Sequence, residues 1–284
     1  MGADRRGKRR YLSRMATDVL KRNNVKSFGR GAQPMLFAHG FGCDQNMWRF
    51  LTPDFEDDYR IVLFDYVGAG QSDVAAYDPE KYATLNGYTR DLLDVIHALD
   101  LRDIIFVGHS VSSIIGVLAA NAEPDRFDNL ILIGPSPRYI NEDTYVGGFD
   151  RKDIDGLFEM MDRNFIGWAN FLAPAIMQNP DRPELGEELV ASFCSTDPVI
   201  ARNFAKATFL ADNRADLERV TVPSLVLQCS DDMIAPKAVG EYVSARLANS
   251  TLRVMKATGH CPHISHPGET VELIKQYLEA APAA

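Results

Sequence analysis

The chain has 284 residues, of which 46% are hydrophobic and 24% charged, a composition typical of globular proteins that excludes disordered and collagen-like chains. This length allows one large domain or two small ones, with a core that needs no disulfide or structural metal. The formal net charge is -9. Because residues 1–14 are strongly basic, the rest of the chain is more acidic still, and we expect neither nucleic acid nor membrane as its partner.

The basic segment, residues 1–14, is the first candidate for a targeting signal. A secretory signal needs an apolar stretch after its basic residues, and none follows residues 1–14. We therefore interpret them as a disordered leader, and Met15 could be an alternative start.

The four cysteines are too few and too scattered for a disulfide framework, which predicts reduced thiols in a cytoplasmic protein.

Short β-rich segments alternate with helical patterns, which predicts an α/β fold with a mostly parallel sheet and helices on both faces. The strand candidates are residues 35–38, 61–64, 104–107, 130–133, 224–229 and 252–255. Apolar residues at helical period predict a crossover helix over residues 83–100. Residues 19–28 suggest an additional antiparallel hairpin that turns at Asn23 and Asn24.

The longest run without Asp, Glu, Lys or Arg, residues 104–122, has the length of a membrane span. However, residues 108–113 would place polar and helix-weakening groups at the centre of the bilayer. A strand, a sharp turn and a buried helix explain the same residues. We therefore do not expect the chain to cross a membrane.

The strand pattern stops for more than eighty residues in the middle of the chain. Residues 136–220 show helical periods instead and are too long for a plain loop. They are rich in aromatic residues, and we expect most of these to form the inner faces of packed helices and the remainder to line a cavity. The predicted organisation is a core of residues 15–135 and 221–284 with a helical insertion at 136–220.

A serine between an apolar strand and an apolar helix is the first chemical signal. Ser110 lies in Gly108-His109-Ser110-Val111-Ser112, in the context of a nucleophile elbow. Such a tight turn requires small residues two positions to either side. Gly108 and Ser112 meet this requirement, although the strict pattern has glycine at the second position. On its own, the motif would favour an ordinary strand–helix turn.

A histidine and an acid follow Ser110 in the order that this type of sheet uses. A serine hydroxyl needs an imidazole to take its proton, and the imidazole needs a carboxylate to fix its tautomer. Asp231, Asp232 and His260 all come just after strand candidates, at the sheet edge where α/β folds build their sites. Asp232 is favoured because Pro236 completes the usual Asp-x-x-x-Pro spacing, but physical reasoning alone does not separate the two acids.

The histidines also raise a metal hypothesis, because His260, His263 and His266 are spaced by three. Pro262 and Pro267 disfavour a regular helix there, and no carboxylate lies among the three residues. The sequence therefore predicts no metal and no other cofactor. We expect His263 and His266 to be structural or exposed.

The last element of the candidate active site is a His-Gly turn, His39-Gly40, which follows the first long strand. The backbone N–H of Phe41, together with that of Val111, can hold the oxyanion of a tetrahedral intermediate, and His39 is expected to be a structural hydrogen-bonding residue. The segment from Asp65 to Ser72 lacks the third glycine of a dinucleotide loop, since residue 73 is Asp. We interpret this segment as a structural turn.

Taken together, these motifs resemble the RsbQ family of bacterial α/β-hydrolases over about residues 15–278. The segments that carry the resemblance are His39-Gly40-Phe41-Gly42-Cys43-Asp44-Gln45, Phe64-Asp65-Tyr66-Val67-Gly68, Gly134-Pro135-Ser136-Pro137, Gly147-Gly148-Phe149, Cys194-Ser195-Thr196-Asp197-Pro198 and Gly259-His260-Cys261-Pro262-His263. Plant strigolactone and karrikin receptors are similar at greater distance, and Ser112 is closer to their elbow.

The resemblance implies an α/β-hydrolase fold with Ser110, Asp232 and His260 as its triad and a four-helix lid over a closed apolar pocket. The positions that match the family's pocket are Phe41, Tyr139, Phe149, Leu157, Trp168, Leu172 and Phe209. It also implies slow hydrolysis of a small hydrophobic ester or lactone-like ligand, coupled to stress signalling through a PAS-domain serine phosphatase. The alternative is a general carboxylesterase without a signalling role. A dehalogenase or epoxide hydrolase is excluded, because it needs Asp where Ser110 stands.

Overall fold

A seven-stranded sheet forms the centre of the protein in the computed structural model, which describes residues 16–280. The predicted leader, residues 1–14, lies outside the described residues, as does Met15. The strand order is β1-β3-β2-β4-β5-β6-β7, and only β1 is antiparallel to its neighbour. The strands are β1 (Lys26–Phe28), β2 (Pro34–Ala38), β3 (Arg60–Leu63), β4 (Ile104–His109), β5 (Phe127–Ile133), β6 (Ser224–Asp231) and β7 (Ser250–Thr258).

Helices cover both faces of this sheet. They are α1 (16–22), α2 (Leu85–Ala98), α3 (Val111–Ala122), α4 (Arg151–Arg163), α5 (Phe165–Met177), α6 (Pro183–Ser195), α7 (Pro198–Phe209), α8 (Arg214–Leu217), α9 (Lys237–Arg246), α10 (Pro262–Ser265) and α11 (Pro267–Ala280). Side chains alternate between the faces along each strand. On β2, Met35 and Phe37 join the cluster under α11, whereas Leu36 and Ala38 join the cluster under α2 and α3. The predicted α/β fold is confirmed.

The charge-free run at residues 104–122 folds as predicted, with β4 followed at once by α3. The crossover helix is also confirmed, as α2. Within residues 16–280, no helix has both the length and the apolar character required to span a bilayer.

The predicted hairpin at residues 19–28 is wrong. Residues 16–22 are helical, and β1 pairs with β3 at the sheet edge instead of with the preceding segment. Asn23 is fully buried, and its side-chain amide donates to the Asp65 carbonyl oxygen at 2.9 Å. The Asn pair therefore anchors the chain to the core, because a long-range partner for Asn23 outweighs the local turn preference that the sequence suggested.

Four helices, α4 to α7, are inserted between β5 and β6, and we call them the lid. α5 and α7 begin at Asn164 and Asp197, whose side chains cap the helix, and at the start of α4 the Asp153 side chain accepts from the Asp150 N–H. The helix α5 contains no charged residue, and it buries Trp168 and Leu172 on its inner side. Aromatic packing on the inner faces of these helices places the lid over the carboxyl edge of the sheet.

Candidate active site

Ser110 occupies a strained turn between β4 and α3. Its backbone φ of 56° and ψ of -122° lie outside the regions that L-residues usually adopt, as a nucleophile elbow requires. A Cβ atom on Gly108 would lie only 2.7 Å from the Ser112 carbonyl oxygen, so this position admits only glycine. The Ser110 N–H donates to the Ile133 carbonyl oxygen at 2.8 Å and fixes the turn against β5.

Ser110, His260 and Asp232 form a hydrogen-bonded chain at the carboxyl edge of the sheet. Ser110 Oγ lies 2.7 Å from His260 Nε2, and His260 Nδ1 lies 2.7 Å from Asp232 Oδ2. A carboxylate can only accept, so Nδ1 carries the ring proton and Nε2 accepts from the serine hydroxyl. All three residues are at most 6% exposed, which excludes bulk water from the chain.

The structure separates the two neighbouring acids that the sequence left open. Asp232 is buried, and its second oxygen accepts from the Ile234 and Ala235 N–H groups at 2.8 and 3.1 Å. Asp231 is exposed. Burial alone would raise the pKa of the Asp232 carboxyl, but the adjacent His260 ring and these donors hold its pKa below the ordinary value.

Neighbouring groups hold the backbone of His260 on both sides. Its N–H donates to the carbonyl oxygen of Ile176, in the last turn of α5, at 2.8 Å. Its carbonyl oxygen accepts from Nε2 of His109 at 2.8 Å. Burial, and secondarily the nearby His260, lowers the pKa of His109 to about 3, so this ring stays neutral. The lid and the elbow therefore both position His260.

The Gly40–Phe41 peptide lies beside Ser110, since a Cβ atom on Gly40 would be 3.5 Å from Ser110 Cβ. His39 Nε2 accepts from the Tyr66 N–H at 3.3 Å, so His39 Nδ1 carries the proton and donates to the Gly40 carbonyl oxygen at 2.9 Å. In a trans peptide the C=O and N–H groups point in opposite directions. Holding the Gly40 carbonyl therefore also fixes the direction of the Phe41 N–H.

Ser112, the departure from the strict elbow pattern, belongs to the same network. Its hydroxyl donates to the carbonyl oxygen of His39 and therefore accepts from the Tyr66 hydroxyl at 3.0 Å. Ser112 is fully buried. A glycine at this position would leave the His39 carbonyl oxygen and the Tyr66 hydroxyl without their hydrogen bonds to the Ser112 side chain. The sequence pattern identified the departure but not this function, because Tyr66 and His39 are distant from Ser112 in the chain.

A small cavity of about 30 Å³ lies against Ser110 and His260. In the same measure a water molecule needs roughly 10–15 Å³, so this cavity is nearly closed. Three of the predicted pocket residues line it, namely Phe41, Tyr139 and Phe209. The Tyr139 hydroxyl lies 3.4 Å from Ser110 Oγ, which adds a polar group outside the triad to the wall.

The other four predicted pocket residues lie behind this wall and do not line the cavity. Trp168 stacks on Phe193 with ring centroids 5.0 Å apart, and Phe149 contacts Phe209 at 6.3 Å. Leu172 is buried in the core cluster, and Leu157 packs against it. The aromatic rings of the lid pack on one another here and fill the space, so a pocket role for these four positions stays a prediction.

Sequence reasoning missed several residues of the wall, including Cys43, Ile176, Leu189, Phe193 and Ile234. No signal in the sequence marks them, since their inward orientation depends on the packing of the lid. Burial raises the pKa of the Cys43 thiol to about 12. Cys43 therefore stays protonated and does not compete with Ser110 as a nucleophile.

The remaining histidines are structural or exposed. His263 is buried against the Trp48 ring with centroids 4.9 Å apart, and His97 is exposed and pairs with Glu123 at 2.8 Å. His39 is a hydrogen-bonding residue, as predicted. Among the described residues, no group of three His, Cys, Asp or Glu side chains is arranged to hold a metal ion.

The fold and the site together define a class of protein, and comparison with known proteins identifies the family. Residues 35–273 match the model of the Alpha/beta hydrolase family. The chain therefore belongs to the alpha/beta hydrolase family, and it is a hydrolase of the esterase type.

Several relatives cover nearly the whole chain. The chain is 38% identical to "Karrikin insensitive 2 receptor IA" from Petunia hybrida over 89% of this chain and 93% of that protein. It is 35% identical to "Strigolactone esterase D14" from Arabidopsis thaliana over 92% and 98%. Among solved structures, olei00960, a hydrolase from Oleispira antarctica, superimposes with a TM-score of 0.91 at 44% identity, covering 94% of this chain and 98% of that one.

Proposed function

We propose that the protein is a serine hydrolase that acts slowly on a small, neutral, hydrophobic ester or lactone-like ligand. The observation that supports this most strongly is the Ser110–His260–Asp232 chain, with both of its hydrogen bonds at 2.7 Å, beside an apolar cavity. No cofactor takes part, because the serine, the imidazole and the carboxylate supply every proton transfer that ester hydrolysis needs.

The first half of the reaction forms an acyl-enzyme. Ser110 Oγ attacks the carbonyl carbon while its proton moves to His260 Nε2. The carbonyl π electrons move to oxygen, and this oxyanion is held by the N–H groups of Phe41 and Val111, which donate to no acceptor in the described part of the chain. When the intermediate collapses, the bond to the leaving oxygen breaks and His260 returns the proton to that oxygen. In a lactone, the released alcohol stays tethered to the acyl group.

The second half regenerates the serine. A water molecule gives a proton to His260 Nε2 and attacks the acyl carbon, and the second tetrahedral intermediate expels Ser110 Oγ. The proton returns to Ser110, and the carboxylic acid leaves. Asp232 stabilises the imidazolium in both halves without taking its proton. Its lowered pKa keeps the carboxylate charged throughout.

The closed cavity supports the proposed slow rate. A volume of about 30 Å³ admits no ester without movement of the lid or its side chains. Movement of the lid or of its side chains therefore precedes each binding event, and such steps limit the turnover of many enzymes. Apolar walls formed by Phe41, Phe193 and Phe209 favour neutral substrates over charged ones.

Covalent labelling of Ser110 tests this function. A fluorophosphonate should phosphonylate Ser110, with an O–P bond formed, fluoride released and the proton taken by His260. Intact mass should show one adduct on the wild type and none on Ser110→Ala, and ester hydrolysis should fall by about 10⁶. Undiminished labelling and hydrolysis in Ser110→Ala would overturn the assignment.

We further propose that the protein is a member of the RsbQ family that couples hydrolysis to stress signalling through a PAS-domain serine phosphatase. An uncharged surface on the lid supports a protein contact, since α5 carries no charged residue and exposes 64% of Ile166 and 60% of Phe171. Exposed apolar side chains on neighbouring turns are typical of interaction sites. Two of the relatives described above are named as a karrikin insensitive receptor and a strigolactone esterase.

The signalling proposal is tested by separating two outputs. Phe171→Ala should reduce the stress-response output in cells while the rate of ester hydrolysis stays unchanged, because Phe171 does not line the cavity at Ser110. Lys152→Ala, an exposed change on α4, serves as the matched control and should alter neither output. If Phe171→Ala leaves both outputs unchanged, the general carboxylesterase function replaces the signalling one.

A further inference from the structure

A second, larger cavity adjoins the site through a wall of two side chains. It is a groove of about 280 Å³ between α6 and the turn that follows β2. Cys43 and Leu189 line this groove and also line the cavity against Ser110 and His260. Both side chains are almost completely buried, at 5% and 4% exposure. Within residues 16–280, these two side chains alone line both spaces, so a modest change in their positions would join the groove to the cavity.

The chemistry of the groove is apolar inside and polar at its rim. Its inner surface is formed by Met47, Met177, Leu185, Leu189 and Ile264, whereas Asp44, Asn46, Glu188, Ser192 and Ser195 lie at the rim. Methionine side chains adapt to ligands of different shape. None of the described residues that line the groove is a lysine or an arginine. A neutral hydrocarbon arm fits these surroundings, and an anionic arm does not.

Two polar contacts hold α6 against the turn on either side of this wall. The Ser192 hydroxyl donates to the Gly42 carbonyl oxygen at 2.7 Å, and Arg49 pairs with Glu188 at 2.8 Å. These contacts fix the distance between α6 and the turn. The wall between the two spaces consists only of the side chains of Cys43 and Leu189 among the described residues. Rotation of Leu189 can therefore open the wall without unfolding the lid.

We propose that this groove is a substrate subsite that holds the apolar arm of the ester or lactone, with Leu189 as the residue that sets how long this arm can be. The inference rests on the proposed hydrolase function and adds the location of the substrate. The carbonyl group sits at Ser110 in the small cavity, and the arm passes between Cys43 and Leu189 into the groove. The groove volume approaches the lower limit of about 300 Å³ for ligand pockets. The cavity at Ser110 is far below this limit.

Ester chain length tests the subsite. The substrates are p-nitrophenyl acetate and p-nitrophenyl hexanoate, and the measured quantity is the ratio of their kcat/KM values. Each methylene that leaves water is worth about fourfold. Leu189→Ala widens the passage, so the hexanoate-to-acetate ratio should rise by about fivefold or more. Leu189→Trp closes it, so the hexanoate-to-acetate ratio should fall by about tenfold. The ratio is the readout because Leu189 also lines the cavity at Ser110, where its replacement affects both esters.

The neighbouring residue supplies a matched control. Val190 lies on the same helix but lines a different groove, between α5 and α6, so Val190→Ala should leave the ratio unchanged. Leu189→Phe replaces the Trp variant if the latter does not fold, as judged by its thermal unfolding. Equal effects of the Leu189 variants on both esters, or an equal shift of the ratio in Val190→Ala, would overturn the subsite.

Failure of this inference can be distinguished from failure of the proposed function. If Ser110 is labelled by the fluorophosphonate but chain-length preference ignores Leu189, the hydrolase function stands and the subsite is elsewhere. If Ser110→Ala keeps its labelling and its hydrolysis, the proposed function itself fails. The hexanoate-to-acetate ratio of kcat/KM values then does not report on a subsite next to Ser110.

Discussion

The carboxyl edge of the sheet and the lid above it are built in different ways. At the sheet edge, hydrogen bonds place every reacting group: Ser110 is tied to β5, Asp232 accepts from two N–H groups, and His260 is held at both ends of its peptide backbone. In the lid, the inner surface consists mainly of aromatic rings in mutual contact, such as Trp168 on Phe193. Directional bonds fix the first region, whereas volume and shape fix the second.

This difference assigns the chemistry to the sheet and the choice of substrate to the lid. Hydrogen bonds tolerate only small displacements, so a change at the sheet edge should alter the rate of the chemical step. Ring packing can be rearranged at lower cost, so a change in the lid should alter which substrate fits. Among the hydrogen bonds that join the two regions is the one from the His260 N–H to the Ile176 carbonyl oxygen at the end of α5.

The largest expected effect of breaking a sheet-edge contact is at Asp232. Asp232→Asn should lower kcat by about 10⁴, because the amide favours the wrong tautomer of His260. Asp231→Asn is the matched control, since Asp231 is exposed and one residue away, and it should change kcat only slightly. Steady-state kinetics on p-nitrophenyl acetate measure both. A larger loss in Asp231→Asn would move the acid to that residue.

A smaller effect is expected at Ser112, which holds the His39 carbonyl, one peptide before the Gly40–Phe41 peptide. Ser112→Ala removes the donor to the His39 carbonyl and should lower kcat by about tenfold, less than the 10² to 10³ that follows loss of a whole oxyanion donor. KM should stay unchanged because Ser112 does not line the cavity.

Ser113 provides the control for this positioning role. Its hydroxyl is equally buried and donates to the Gly108 carbonyl oxygen at 2.8 Å, on the other side of the same helical turn. Ser113→Ala should lower thermal stability without the selective fall in kcat. If both variants reduce kcat to the same extent, Ser112 is only a packing residue.

The smallest expected effect is on stability and concerns His263. Burial, and secondarily the nearby His109 and His260, holds its pKa well below the ordinary value, and neither ring nitrogen has a hydrogen-bond partner within the described residues. Below about pH 6.5 the unfolded chain binds a proton on this ring and the folded protein does not, so stability falls as the pH falls.

His263→Leu should therefore flatten this pH dependence. The slope of the unfolding free energy between pH 6 and pH 5 should decrease by about 1.4 kcal/mol per pH unit, the value for one proton. Stability at pH 7 should be unchanged or higher, because an unpaired buried polar group is removed. Urea denaturation at each pH measures these differences, and an unaltered slope in His263→Leu would contradict the buried neutral ring.

The sequence by itself determined the sheet, the elbow and the order of the reacting residues. Strand and helix periods depend on neighbours within one turn or one pleat, so local patterns reveal them. Gly108 and Ser110 are close enough in the chain for their spacing to identify a strained turn. Ser110, Asp232 and His260 could be proposed together because the carboxyl ends of parallel strands meet at the same edge of the sheet.

Tertiary structure alone decided which acid turns inward, where Asn23 is anchored and which rings of the lid face the cavity. Asp231 and Asp232 have the same chemistry, and only the bend after β6 buries one and exposes the other. The wall at Ser110 contains Leu189 and Phe193 but not Trp168 or Leu172. All four residues have an apolar character that suits either position, and the close packing of the lid helices against one another, which no local pattern encodes, selects among them.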